Sequence, residues 1–428
     1  MPDYANVTLP VLEERSRKKL GESTQFIHPS YDGYGLANLS ASVSHWLGGP
    51  KLNSLPFAPS ILEKFQNRYK RVVVLLVDAL GYNQLARMMR TSKAPLWKAM
   101  LEKGSLFPIT SVSPSTTATA LTSIWTGVDP LRHGIIGYEM WVKELSMVIN
   151  TILHMPSSYA GDIGSLAKAG FDPTTFLNNQ PFGTFLESRA IESHSFLPYS
   201  ITGSGLSQMH SAKTSLHGYV SESDLWANLR DNLNSRPANS KFVYAYWPLV
   251  DTLMHRYGPD DDRVSCQFDL MSQALQTQLF DRLEDWAKKG TLFLMTADHG
   301  SVFTPAYENF VLSGHPDLLA NLVMPPTCEN RLPFLYVRPG KDVDIRQYFE
   351  HAWPDKFTLI TRQEALDLQL FGIGEAHPRL DGRIGDLIAI SHDDAYLWWP
   401  NKANLMKGRH GGLSADEMLV PLFGLELG

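Results

Sequence analysis

The chain has 428 residues, 43% hydrophobic and 19% charged, with a formal net charge of −6. That composition belongs to a globular protein and excludes a disordered or fibrous one. The acidic balance, with no basic run longer than Arg68-Tyr-Lys-Arg71, excludes an electrostatic footprint for duplex nucleic acid.

The opening segment Met1–Glu22 is polar and charged and lacks the apolar core of a secretory leader. No run of about eighteen apolar residues follows anywhere, so no membrane span is expected. Two cysteines, Cys266 and Cys328, are too few for a disulfide framework and fit a reducing compartment. A cytoplasmic protein is the expectation. Residues 1–70 are mixed and punctuated by Pro and Gly, and read as an N-terminal extension packed on a larger body spanning 71–428.

The run Val72–Val77 is apolar without alternation, as in a strand buried on both faces of a parallel sheet. Asp78 closes it, and a helix-compatible stretch runs from Gly81 to Met89. Gly104–Val112 reads as a second strand and Thr117–Thr126 as a helix stopped by Gly127. The stretch near 140–240 is rich in Ser, Gly and Pro. Its middle carries Gly161, Gly164, Gly170, Gly183, Gly203 and Gly205, and it reads as an insertion or cap. Phe242–Tyr246 is another buried strand. Phe268, Met271, Leu275, Leu279, Leu283 and Trp286 recur at helical spacing, which predicts an amphipathic helix over 263–288. A strand at 291–297 follows it. Residues 303–405 read as a second insertion, with strand-like Phe334–Val337 and Asp386–Ile390, and Val420–Phe423 is a last short strand. The aromatic run Tyr396-Leu-Trp-Trp399 reads as core. Strands alternating with helices give an α/β fold, a central mostly parallel sheet flanked by helices, with cap insertions.

Metal-binding residue types cluster at the ends of these elements. Asp78 and Asp298-His299 each sit where a buried strand gives out, the edge at which open α/β sheets bind ligands. Asp78 could equally cap the helix after it. Asp251 and His255 are four residues apart, so a helix would turn both to one side. His410 precedes Gly411-Gly412, which permits a sharp turn. Taken singly, each of these is as well explained by a cap, a solvated Asp or a core His. Together, three Asp and three His suffice for two divalent ions, zinc by donor type, with manganese or iron as alternatives. The cluster Ser113-Pro-Ser-Thr-Thr117 supplies hydroxyls at a helix start, where one could attack an ester while its neighbour caps.

These residues resemble the alkaline phosphatase superfamily, and within it the type I phosphodiesterase/nucleotide pyrophosphatase branch. The likeness covers roughly residues 70–140 and 240–428. It rests on Val77-Asp78, the frame Thr126-Gly127, Pro130 and His133-Gly134-Ile135, then Asp251-Thr-Leu-Met-His255 with Tyr257-Gly258-Pro259, then Asp298-His299-Gly300 and the late His410. Counting back ten residues from Gly127, as the branch does, places the nucleophile at Thr117.

The resemblance implies two divalent metal sites. Asp251, His255 and His410 would hold one ion; Asp78, Asp298, His299 and the Thr117 oxygen would hold the other. It implies a covalent phosphoryl- or nucleotidyl-enzyme on Thr117 and a small phosphate-ester substrate such as a nucleotide. Where the branch carries an Asn twenty-one residues after the nucleophile, this chain has Tyr138, whose phenol can also donate a hydrogen bond. His133 is read as structural. A phosphomonoesterase or mutase-like enzyme is the neighbouring reading. A non-catalytic interaction module on the same fold is the reading from another class.

Overall fold

The computed structural model describes residues 4–22, 24–66, 68–91, 96, 100, 102–157, 162–236 and 239–428. Met1 and Gly161, both used above, lie outside them. A seven-stranded sheet forms the centre, in the spatial order Ser105–Thr110, Leu419–Glu426, Thr291–Thr296, Arg71–Val77, Lys241–Trp247, Glu192–Pro198, Ser215–Tyr219. Six strands run parallel; Leu419–Glu426 alone is antiparallel to its neighbours. Every residue of Arg71–Val77, Lys241–Trp247 and Thr291–Thr296 is buried, which is why these strands show no polar alternation.

Register brings the chemistry to one edge. Val77 pairs with Trp247 and Leu76 with Thr296, so three strands end side by side. Asp78, the helix Leu249–Tyr257 carrying Asp251 and His255, and Asp298-His299 all issue from that edge. The helix after Asp78 begins at Tyr82, so Asp78 is not its cap. The expected helix Thr117–Thr126 is present with those bounds.

Within 140–240, expected as an insertion, Glu192–Pro198 and Ser215–Tyr219 extend the central sheet as parallel strands. A second seven-stranded sheet, antiparallel throughout, joins both expected insertions. Its order is Phe357–Thr361, Leu387–Ser391, Leu332–Leu335, Thr327–Glu329, Glu139–Val142, Met147–Asn150, Met155–Pro156. Cys328 pairs with Glu139 at the join. The predicted helix 263–288 is interrupted. It runs Asp262–Ala274, widens to a π turn at Leu275–Leu279, tightens at Phe280–Arg282 and resumes at Asp285–Lys288. Leu275, Leu279, Phe280 and Leu283 are all buried, so the apolar periodicity was a burial signal that the backbone meets by changing its winding.

Of the N-terminal segment, Tyr4 donates its backbone N–H to the Leu106 carbonyl at 2.9 Å and stacks on Phe107, tying it to the sheet edge. Tyr396, Leu397 and Trp398 are core, with the Arg409 guanidinium lying over the Tyr396 ring at 3.8 Å. Among the described residues, no helix is long and apolar enough to cross a membrane.

Candidate metal and nucleophile site

The six expected metal-ligand side chains lie together at the sheet edge. His299 Nε2 is 3.5 Å from Asp78 Oδ1 and 3.6 Å from Asp298 Oδ2, and these three residues are almost fully buried. Asp251, His255 and His410 lie further out. His255 Nε2 is 3.2 Å from Asp251 Oδ1 and His410 Nε2 is 4.0 Å from it. The His299 and His410 rings stack with centroids 3.7 Å apart, joining the two halves.

Among the described residues, two sets of ligand atoms are close enough to share an ion: Asp78, Asp298 and His299, and Asp251, His299 and His410. The resemblance grouped the outer set as Asp251, His255 and His410. In the structure His299 sits close to both sets, and His255 reaches the outer one through Asp251.

The three histidines are oriented alike. Nδ1 of His255 meets the Gly408 carbonyl at 2.8 Å, that of His299 the Gly300 carbonyl at 3.0 Å, and that of His410 the Ser115 carbonyl at 3.1 Å. A carbonyl only accepts, so each Nδ1 donates and each Nε2 is left turned toward the carboxylates. That is how a protein orients metal-binding imidazoles through their second nitrogen.

The carboxylates complete the argument. Asp298 Oδ1 accepts the backbone N–H groups of Ala79 and His299, both at 3.1 Å, while Asp78 Oδ2 accepts the Tyr246 hydroxyl. Yet Asp78 Oδ1, Asp298 Oδ2 and Asp251 Oδ1 are buried without a hydrogen-bond partner. Buried polar atoms are rarely left so. Burial, and then the charges of Asp298 and Asp251, push the Asp78 carboxyl well above the usual carboxylate range. Burial, and then His299 and His255, hold the His410 imidazole well below its ordinary value. Three orphaned carboxylate oxygens facing three imidazole Nε2 atoms fit divalent cations.

Thr117 is the first residue of its helix, and its Oγ1 lies 3.2 Å from His299 Nε2. The neighbouring hydroxyls point elsewhere. Ser115 donates to the Gly412 carbonyl at 2.8 Å, and Thr116 donates to Glu329 Oε1 at 2.6 Å. Tyr138 enters through its backbone, donating its N–H to the same Glu329 oxygen at 3.2 Å. His133 is fully buried; its Nδ1 accepts the Ile135 N–H and its Nε2 donates to Ser123, which is a structural role.

Sequence reasoning missed Glu329, Tyr246 and Glu417. Burial pushes the Glu329 carboxyl up to about 8. Glu417 grips Arg331 through two bonds, 2.7 and 3.0 Å, both side chains fully buried, and also accepts the Gly412 N–H at 2.9 Å. It thereby fixes the turn that carries His410. Gly300 must be glycine here, since a Cβ would run into the Asp416 carbonyl. Glu417→Ala leaves the Arg331 charge buried and unpaired, so it is expected to cost about 3–5 kcal/mol in denaturant unfolding. An unchanged midpoint would show that the turn is held by other contacts.

A sequence profile of the type I phosphodiesterase/nucleotide pyrophosphatase family matches residues 72–413. A search of curated protein sequences finds no match. Among solved structures, murine ectonucleotide pyrophosphatase/phosphodiesterase 5 is similar with TM-score 0.62 and 16% identity, over 83% of this chain and 87% of that one. An inactive variant of that protein in complex with AMP is equally similar, with TM-score 0.62. Phosphonoacetate hydrolase from Sinorhizobium meliloti 1021, in complex with phosphonoformate, has TM-score 0.61 and 15% identity, over 82% of this chain and 89% of that one. At these identities the likeness shows the fold.

Proposed function

We propose, from the premise that this chain belongs to the type I phosphodiesterase/nucleotide pyrophosphatase family, that it is a two-metal phosphodiesterase or pyrophosphatase with Thr117 as its nucleophile. The observation that carries this reading is the Thr117 hydroxyl, 3.2 Å from His299 Nε2, the same nitrogen that lies 3.5 Å and 3.6 Å from the orphaned Asp78 Oδ1 and Asp298 Oδ2. Asp78, Asp298 and His299, with Thr117 Oγ1, would hold one ion. Asp251, His255 and His410 would hold the other. Two divalent cations would lower the pKa of a coordinated hydroxyl and offset the charge gathering on the phosphoryl oxygens. The donor set suits zinc, with manganese as the alternative.

Thr117 Oγ1 attacks phosphorus, and the bond to the leaving oxygen breaks with its electron pair. The phosphoryl group, esterified to Thr117, is then released when water attacks phosphorus and Oγ1 departs. The backbone N–H groups opening the helix Thr117–Thr126 would donate to the phosphoryl oxygens and bind charge without side chains. The His255, His299 and His410 carbonyl contacts keep the imidazoles aimed throughout. A small phosphate ester, nucleotide-like in the first instance, is the substrate class. The exposed free thiol of Cys266 fits a reducing, cytoplasmic setting.

Tyr138, standing where the branch carries Asn, favours a second reading as a monoesterase. A panel of 4-nitrophenyl phosphate, bis(4-nitrophenyl) phosphate and 4-nitrophenyl sulfate with zinc or manganese separates the two by relative kcat/KM. In the diesterase reading, Tyr138→Phe lowers turnover by about 10² with unchanged metal content, the effect of losing one donor to a developing oxyanion. A kinetically silent Tyr138→Phe would remove Tyr138 from the chemistry and leave the metal assignment standing.

A further inference from the structure

Thr116 stands in the capping position of the nucleophile's helix and does not cap it. Its backbone is extended, φ −143° and ψ 149°, as a capping residue's is, yet its side chain makes no capping bond to the N–H groups that open Thr117–Thr126. Thr361 shows the ordinary arrangement: there the threonine Oγ1 accepts the Glu364 N–H at 3.1 Å. Thr116 Oγ1 instead donates to Glu329 Oε1 at 2.6 Å. Ser115, the hydroxyl before it, is turned to the Gly412 carbonyl.

The backbone is shaped to seat Glu329. Cys328, just before it, is buried with φ +77°, a conformation that residues other than glycine rarely adopt. Gly411 has φ +109°, and a Cβ on it would lie 2.5 Å from Glu329 Cβ. Gly137 has φ +113°, and a Cβ on it would lie 2.7 Å from Cys328 Cα. Two glycines and one strained residue thus make room for one carboxyl. Its Oε1 also accepts the Tyr138 N–H at 3.2 Å, which pins it against the start of the strand Glu139–Val142. That oxygen accepts in either protonation state, because a proton on the carboxyl would sit on Oε2.

We infer that Glu329 is a positioning residue for the nucleophile's helix: it holds the Thr116 hydroxyl away from the opening N–H groups and so keeps them free for the phosphoryl oxygens. The inference rests on the Thr117 reading above. It explains how a helix with threonine in its capping position still offers its N-terminus to an anion. Without Glu329, rotation about one side-chain bond brings Thr116 Oγ1 onto those N–H groups, where it competes with the substrate.

The test measures kcat/KM of the metal-loaded protein on bis(4-nitrophenyl) phosphate, and the inhibition constant of inorganic phosphate in the same reaction. Glu329→Ala is expected to lower kcat/KM by about five- to thirtyfold, which is ~1–2 kcal/mol of capping bond in the substrate's place, and to weaken phosphate inhibition similarly. Glu329→Gln, which keeps an accepting oxygen, should retain most of the activity. The deciding variant is Glu329→Ala combined with Thr116→Ala. It has no hydroxyl to cap with, so its kcat/KM should return to that of Thr116→Ala alone. Glu329→Leu, closer to glutamate in volume, carries the same comparison if the alanine variant does not fold. A double variant as impaired as Glu329→Ala, or an unimpaired Glu329→Ala, overturns this inference and leaves the phosphodiesterase reading intact. A metal-loaded parent that hydrolyses no 4-nitrophenyl phosphate ester overturns that reading and this inference with it.

Discussion

Thr117→Ala is expected to lose at least about a thousandfold in turnover while keeping its metal content. The loss follows from the geometry. Thr117 Oγ1 is the hydroxyl next to His299 Nε2, and covalent catalysis has no substitute for it once it is gone. The ions would stay, because six side chains would hold them without it. Ser115→Ala and Thr116→Ala should lose far less. Their hydroxyls are spent on the Gly412 carbonyl and on Glu329, so their removal perturbs the helix start and not the attacking atom. Steady-state kinetics on bis(4-nitrophenyl) phosphate decides it. A dead Thr116→Ala beside an active Thr117→Ala would move the nucleophile by one residue.

The second large effect has two signs. Asp298→Asn should lose about a thousandfold or more in turnover, since the charge offset by bound cations is worth several kcal/mol and each 1.36 kcal/mol is a decade. The metal-stripped variant should nevertheless be more stable than the metal-stripped parent. An asparagine can keep its Oδ1 on the Ala79 and His299 N–H groups while removing a charge that lies buried beside Asp78. Melting of the stripped proteins is expected to rise by about 1–3 °C in the variant. Added zinc is expected to stabilise the parent by binding its folded state and to stabilise the variant much less. A stripped variant that melts lower than the parent, yet is rescued by zinc as fully as the parent, would show that Asp298 is a structural carboxylate. Activity traded against stability is the usual mark of a site that holds like charges together.

Much of this site was legible in the chain because its residues terminate recognisable elements. Asp78 and Asp298-His299 end apolar runs buried on both faces, and Asp251 and His255 share a helical face. Thr117 was placed by its distance from Gly127. What stayed hidden depends on pairing in space. Glu329 reaches Thr116 only because Cys328 pairs with Glu139 across the two insertions, and no local pattern foretells that. Tyr246 lies inside an apolar run and shows its role only through its bond to Asp78. The strands Glu192–Pro198 and Ser215–Tyr219 were missed because they lie at the sheet's margin. There, Ser, His and Gly alternate with few apolar residues, and burial is incomplete. The interrupted helix near Leu275 shows the converse. Its periodicity marked burial correctly, but not the turn type.

Two divalent cations are expected to sit between Thr117 and the six flanking side chains, and elemental analysis counts them directly. Protein dialysed exhaustively against metal-free buffer should retain close to two zinc or manganese ions per chain. A strong chelator should remove them with all phosphodiesterase activity, and readdition should restore both. Full hydrolytic activity in a protein carrying no divalent ion would contradict the account.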